Sequence, residues 1–141
     1  MTPEARQKLR GLLVKHEGCR LYPYKDTRGF DTIGIGRCLT TRGITETEAF
    51  YLLDDDIAYF YSQLSIRCEY FDSLDDNRKI AIVDMCFNLG INGFLDFHVF
   101  NQYMSHKEYV EAANDLLLSK AATENPVRYH LLANIIKTGE L

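Results

Sequence analysis

Residues 17–36 read EGCRLYPYKDTRGFDTIGIG, and this stretch decides the fold class. Glu17 closes a helical pattern that Gly18 stops. Residues 21–25 and 30–36 then read as two short strands, joined by Asp26, Thr27, Arg28 and Gly29, which are turn-forming residue types. Gly34 and Gly36 would weaken an ordinary strand, so they mark a bend or a close backbone approach. The stretch therefore sets one carboxyl at a helix end, a second at a turn and the Thr32 hydroxyl on a strand. A hairpin of this kind suits acid/base chemistry on a bond held in a cleft.

Upstream, Thr2 and Pro3 form a helix start, and Leu9, Leu12, Leu13 and His16 recur at helical spacing up to Glu17. Downstream, Thr45 and Glu48 form a capping box. It opens a long helix with an apolar stripe of Ala49, Leu52, Leu53, Ile57, Phe60 and Leu64, expected to bridge two lobes. Ser73 and Asp76 mark a further start. Residues 80–87, IAIVDMCF, are apolar on almost every side and are expected at the centre of a core. Gly90 and Gly93 are expected to break the chain. Helices follow from about Phe94 to Met104, from a box at Ser105 and Glu108, and from Asn125 and Pro126 onward. The pattern is α+β and mostly helical, with one small N-terminal hairpin.

The 141 residues suffice for one compact domain, residues 1–141, with a real core. A hairpin lobe is expected at about residues 15–60 and a helical lobe at about 61–141, with the N-terminal helix joining the latter. The formal net charge of −4 argues against a general nucleic-acid binder, whose affinity comes from a basic surface that releases counterions. No apolar run nears the length of a membrane span, and the charged start MTPEARQKLR does not resemble a signal peptide. No stable membrane insertion is expected, and synthesis in the cytoplasm follows. Cys19, Cys38, Cys68 and Cys86 lack paired metal-ligand spacing and are expected as reduced, mostly buried thiols. The run Asp54, Asp55, Asp56 points three ways round a helix and reads as a solvated face, so neither metal nor cofactor is expected.

Two carboxyls in unlike settings are what glycoside hydrolysis requires: one protonated to serve the leaving oxygen, one ionised to activate water. Glu17, at a helix end beside apolar residues, suits the acid role because burial raises a carboxyl pKa. Asp26, between Lys25 and Arg28, suits the ionised role, and Thr32 could hold the water with it. Here the residues carry a resemblance. Glu17-Gly18-x-Arg20-Leu21, Tyr24-Lys25-Asp26-Thr27-x-Gly29 and Thr32-Ile33-Gly34-x-Gly36 resemble the active-site region of the phage-type lysozymes, glycoside hydrolase family 24. The likeness continues through Ile44-Thr45, Phe71-Asp72-Ser73-Leu74 and Phe87-Asn88-Leu89-Gly90 to Lys137-Thr138-Gly139.

The resemblance implies a lysozyme-like, two-lobed fold and a muramidase acting on peptidoglycan glycan strands, with Glu17, Asp26 and Thr32 as the catalytic set. It implies inversion at the anomeric carbon, hence carboxyls about 6.5–9.5 Å apart. Substrate-groove positions fall on Cys38, Phe87, Phe100 and Asp115. A supporting arginine falls on Arg128, expected to pair with Glu17, and a bracing ion pair falls on Arg37 and Asp56. The chain has no tryptophan, and family tryptophans fall on Ala121 and Leu141, while a family glutamine becomes Glu124. Aromatic faces stack on sugars, so these changes bear on substrate affinity. The resemblance further implies a monomeric endolysin of phage or prophage origin, accumulating in the bacterial host cytoplasm and reaching the wall through a holin-like route. Two other readings stand beside hydrolysis: a lysozyme-fold binding or inhibitory protein with weakened catalysis, and a lytic transglycosylase.

Overall fold

The computed structural model describes residues 1–141. It contains α1 (Pro3–Glu17), β1 (Arg20–Lys25), β2 (Asp31–Gly34), β3 (Arg37–Cys38), α2 (Glu46–Arg67), α3 (Asp76–Leu95), α4 (His98–Ser105), α5 (Tyr109–Leu117), α6 (Lys120–Glu124) and α7 (Pro126–Thr138). A short 3-10 turn, Phe71–Ser73, precedes α3. The architecture is α+β and mostly helical, as the sequence implies. The chain divides into two compact units, Met1–Leu52 and Leu53–Leu141, so the boundary falls inside α2. No single helix is long and apolar enough to cross a membrane.

In the first unit, the Thr2 hydroxyl accepts from the Ala5 N–H at 3.2 Å and opens α1, and Gly18 closes it by donating to the Val14 carbonyl. The strands form one antiparallel sheet in the order β1-β2-β3. The third strand was not legible in the sequence because it is only two residues long. Tyr24 pairs with Thr32 and Thr32 with Cys38, so these three residues stand abreast across the sheet. The pairing of β1 with β2 is irregular between Arg20 and Tyr24.

The expected capping box at the start of α2 is present. The Glu48 N–H donates to Thr45 Oγ1 at 3.2 Å, and the Thr45 N–H donates to Glu48 Oε2 at 2.8 Å. The same carboxylate receives both arms of Arg37, Nη1 at 2.9 Å and Nη2 at 2.6 Å. This corrects the expected Arg37–Asp56 pair. Glu48 is already fixed by Thr45 at the helix mouth, whereas Asp56 lies about 12 Å further along α2.

The hydrophobic core lies in the second unit, where Leu64, Phe71, Ile82, Met85, Phe94, Phe100, Leu116, Tyr129 and Ile136 are fully or almost fully buried. The apolar run of α3 buries Ala81, Ile82, Met85 and Cys86, while Ile80 and Phe87 stay partly exposed on the opposite face. Gly90, at φ 70°, kinks α3, but Gly93 does not interrupt it, so α4 begins at His98 rather than Phe94. The box expected at Ser105 and Glu108 is absent: Ser105 Oγ instead donates back to the Gln102 carbonyl at 2.7 Å. Helix α6, capped by Ser119 Oγ accepting from the Ala122 N–H, was not anticipated. Arg78 joins α3 to the end of α7, its Nε donating to the Ile136 carbonyl at 2.8 Å while its guanidinium lies 3.8 Å from the Tyr109 ring. A cation at a helix C-terminus is favourable for the helix dipole as well.

All four cysteines are free; Cys68 and Cys86 are buried, Cys38 is half-buried and Cys19 is exposed. Burial pushes the Cys86 thiol up to about 12.

Two outcomes follow for stability. Leu116→Ala deletes a fully buried side chain and should lower unfolding free energy by roughly 2–5 kcal/mol in chemical denaturation. The Arg37 hydrogen bonds, backed by the Thr45 N–H, hold the Glu48 carboxyl down to about 2 from an ordinary 4.5. Its ionised form therefore stabilises the fold fully above pH 4.5, and this is lost as the pH falls towards 2. Glu48→Gln should unfold at lower temperature than the wild type at neutral pH, and the gap should close across that acid window.

Candidate active site

Glu17, Asp26, Thr32 and Cys38 all line one hollow of about 520 Å³ in the first unit. Each arrives there for a local reason. Glu17 is the last residue of α1, and its carboxyl lies over Gly36: a Cβ placed on that glycine would sit 2.8 Å from Glu17 Oε2. Gly36 also has φ 67°, a left-handed conformation that residues with a side chain seldom adopt. Glu17 is exposed, not buried among apolar neighbours as expected, because α1 buries none of its residues.

Asp26 is held by its own turn. Oδ1 accepts from the main-chain N–H groups of Arg28 at 2.8 Å and Phe30 at 2.9 Å, an Asx-turn arrangement. Arg28 Nη2 approaches Oδ2 at 3.6 Å. The Phe30 N–H, followed by the contacts to Arg28, lowers the Asp26 pKa below its ordinary 3.8. The carboxylate is thus kept ionised, and Oδ2 remains its less occupied oxygen.

Thr32 is the one buried polar side chain of the chain, at 3% exposure. Its hydroxyl donates to the Phe30 carbonyl at 3.1 Å, which leaves the oxygen lone pairs to accept from a further donor. Phe30 therefore serves both residues, with its N–H on Asp26 and its carbonyl on Thr32. Cys38, cross-strand from Thr32, has its thiol pKa lowered chiefly by hydrogen bonding with the Thr41 side chain.

The remaining expected site residues lie in the second unit. Phe87 is 38% exposed, packs on Phe60 with ring centroids 5.1 Å apart, and lines an apolar cavity of about 600 Å³ with Ile80, Val83, Asp84 and Arg128. Asp115 is half-buried on α5. Phe100 is corrected: it is fully buried, edge-on to Phe94 at 6.3 Å, and a ring without exposed surface offers nothing to a sugar. Arg128, expected to pair with Glu17, donates through Nε to Asp84 Oδ1 at 2.6 Å and through Nη2 to the Asp84 carbonyl at 3.0 Å. Its Nη1 donors remain for another acceptor.

Sequence reasoning missed Arg20 and Tyr24 as walls of the hollow, and Asp84 as the partner of Arg128. Arg20 and Tyr24 were visible in the motif, but nothing in their spacing signals that both face the carboxyls. Gly36→Ala puts a side chain at a left-handed φ and against Glu17 Oε2, so it should displace the Glu17 carboxyl and lower both the glycan-cleaving activity and the thermal unfolding midpoint. Activity assays beside thermal melts check this.

The sequence profile described as phage lysozyme matches residues 14–130. The chain is 31% identical over 122 residues to the endolysin of Salmonella phage P22, covering 81% of this chain and 82% of that protein. It is also 29% identical to "Probable T4-type lysozyme 1" of Dictyostelium discoideum, over 94% of this chain and 95% of that one. A second such protein, "Probable T4-type lysozyme 2" of the same organism, is 28% identical with the same coverage. The matched span contains every residue of the hollow, and the chain belongs to the phage lysozyme family of glycoside hydrolases.

Proposed function

We propose that this protein is a muramidase that hydrolyses the β-1,4 bond between N-acetylmuramic acid and N-acetylglucosamine in bacterial peptidoglycan, with inversion. The observation that carries the reading is the convergence of Glu17, Asp26 and Thr32 on one hollow within a single unit. In the proposed reaction Glu17, as the acid, gives its proton to the leaving glycosidic oxygen. A water donates one hydrogen bond to Asp26 Oδ2 and another to Thr32 Oγ1, and its oxygen attacks the anomeric carbon as Asp26 takes its proton. The lowered Asp26 pKa supports the base role, since the carboxylate is ionised before water arrives. Thr32 can accept because its own proton is committed to the Phe30 carbonyl.

Phe87 and Asp115 enter the proposal as substrate contacts of the second unit, and Arg128 as a supporting cation oriented by Asp84. Cys38 contributes a half-buried thiol to the groove beside Thr32. The protein acts in this reading as a monomeric endolysin, made in the bacterial host cytoplasm and passed to the wall by a separate holin-like route to release progeny. The intact acid, base and hydroxyl around one hollow favour this over a non-catalytic wall-binding protein.

Glu17→Gln and Asp26→Ala should each reduce wall clearing by roughly 10²–10⁴-fold, the range for a lost general acid or base. Turbidity assays on isolated cell walls test this, and full activity in Asp26→Ala would reverse the assigned roles. The anomer seen first by NMR tests inversion, and an anhydro-muramic product in mass spectrometry would replace hydrolysis by transglycosylation.

A further inference from the structure

Three cationic side chains border the hollow that holds Glu17 and Asp26: Arg20, Lys25 and Arg28. Two have partners on their own hairpin. Lys25 Nζ bonds Asp31 Oδ1 across the sheet at 2.6 Å. Arg28 lies 3.6 Å from Asp26 Oδ2, with its guanidinium 4.8 Å from the Phe30 ring. Arg20 meets no carboxylate. Its guanidinium carbon instead sits 4.4 Å from the centroid of the Tyr24 ring.

That contact needs explaining, since residues four apart on a regular strand stand about 13 Å apart. The irregular pairing between Arg20 and Tyr24 shortens and twists this part of β1, as a bulge does, and the arginine folds back along the strand towards the hollow. Stacking on a ring face uses the face of the guanidinium and leaves its N–H edge unengaged. An aromatic platform also restricts the rotamers of a long side chain, so less entropy is lost when the edge binds a partner. Arg20 is therefore a held, unpaired cation at the wall of a site that acts on sugar. Its neighbours already satisfy Asp26, so it is not needed as that residue's counterion.

We propose that Arg20, seated on Tyr24, recognises a carboxylate of the glycan strand and so selects acid-bearing peptidoglycan over neutral β-1,4-linked glycans. The inference rests on the muramidase reading above. Muramic acid offers that chemistry from two sources. Its lactyl carboxyl is free in strands stripped of peptide, and in peptide-bearing strands the stem supplies carboxylates instead. Both present the planar pair of oxygens that a guanidinium edge fits.

The test compares the wild type with Arg20→Gln and Arg20→Lys on three substrates: peptide-bearing strands, strands stripped by an amidase, and either strand with its carboxylates converted to amides. Reducing ends report KM and kcat. Arg20→Gln should raise KM about tenfold on the strand carrying the recognised carboxylate, the lower range for a solvent-accessible charged hydrogen bond. It should shift KM much less on the amidated strands, with Arg20→Lys in between. A larger shift on stripped strands identifies the lactyl carboxylate, and a larger shift on peptide-bearing strands identifies the stem. Equal shifts on charged and amidated strands, or no shift on any, overturn the proposal. Titrating stripped strands into Glu17→Gln with and without Arg20→Gln reads binding apart from catalysis. If the wild type cuts no strand, the muramidase reading falls, and the binding comparison still decides whether Arg20 recognises the carboxylate.

Discussion

The main chain of Phe30 is the part on which the candidate site depends. Its N–H donates to Asp26 Oδ1, and its carbonyl accepts both the Asp26 N–H and the Thr32 hydroxyl. One residue thereby sets the ionisation of a carboxylate and the direction of a hydroxyl proton. Because these contacts are short-range and involve backbone, they form with the hairpin itself and need no packed core behind them. The consequence is chemical: a carboxylate kept charged and a hydroxyl oxygen kept free to accept face the same hollow.

The rest of the molecule divides accordingly. The second unit holds the apolar core, built on α3, α5 and α7, and is tied by Arg78 at the end of α7. In the first unit the only buried side chain is Thr32. That unit is held by other means: sheet hydrogen bonds, the Thr45–Glu48 box and the two-armed Arg37 contact. A small hairpin alone is marginal in water, so these polar contacts carry much of its definition.

The electrostatics of the hollow follow from this construction. Glu17 and Asp26 share it with three cations, of which Lys25 and Arg28 each have a carboxylate neighbour. Arg20 has no carboxylate neighbour and rests on the Tyr24 ring. A site of this composition can separate two tasks, keeping one carboxylate ionised while retaining an arginine edge for an anionic group on the ligand.

What the sequence determined by itself depends on residues a few positions apart that have no competing partner. The Thr2–Pro3 start, the Thr45–Glu48 box, the Asp26 turn and the Pro126 start were all legible, because each partner lies within one turn of chain. Thr32 and Glu17 were legible as candidates through their motif, and the structure brings them to one hollow. What only the tertiary structure decided involves competing or distant partners. Ser105 had a nearer carbonyl than the box required, and Arg37 found Glu48 because Thr45 had already fixed that carboxylate. The partner of Arg128, 44 positions away on α3, is set by how α3 and α7 pack. The burial of Phe100 and the seating of Arg20 on Tyr24 were equally closed to sequence reasoning. The first depends on which neighbours fill the core, and the second on an irregularity in strand pairing that no residue type announces.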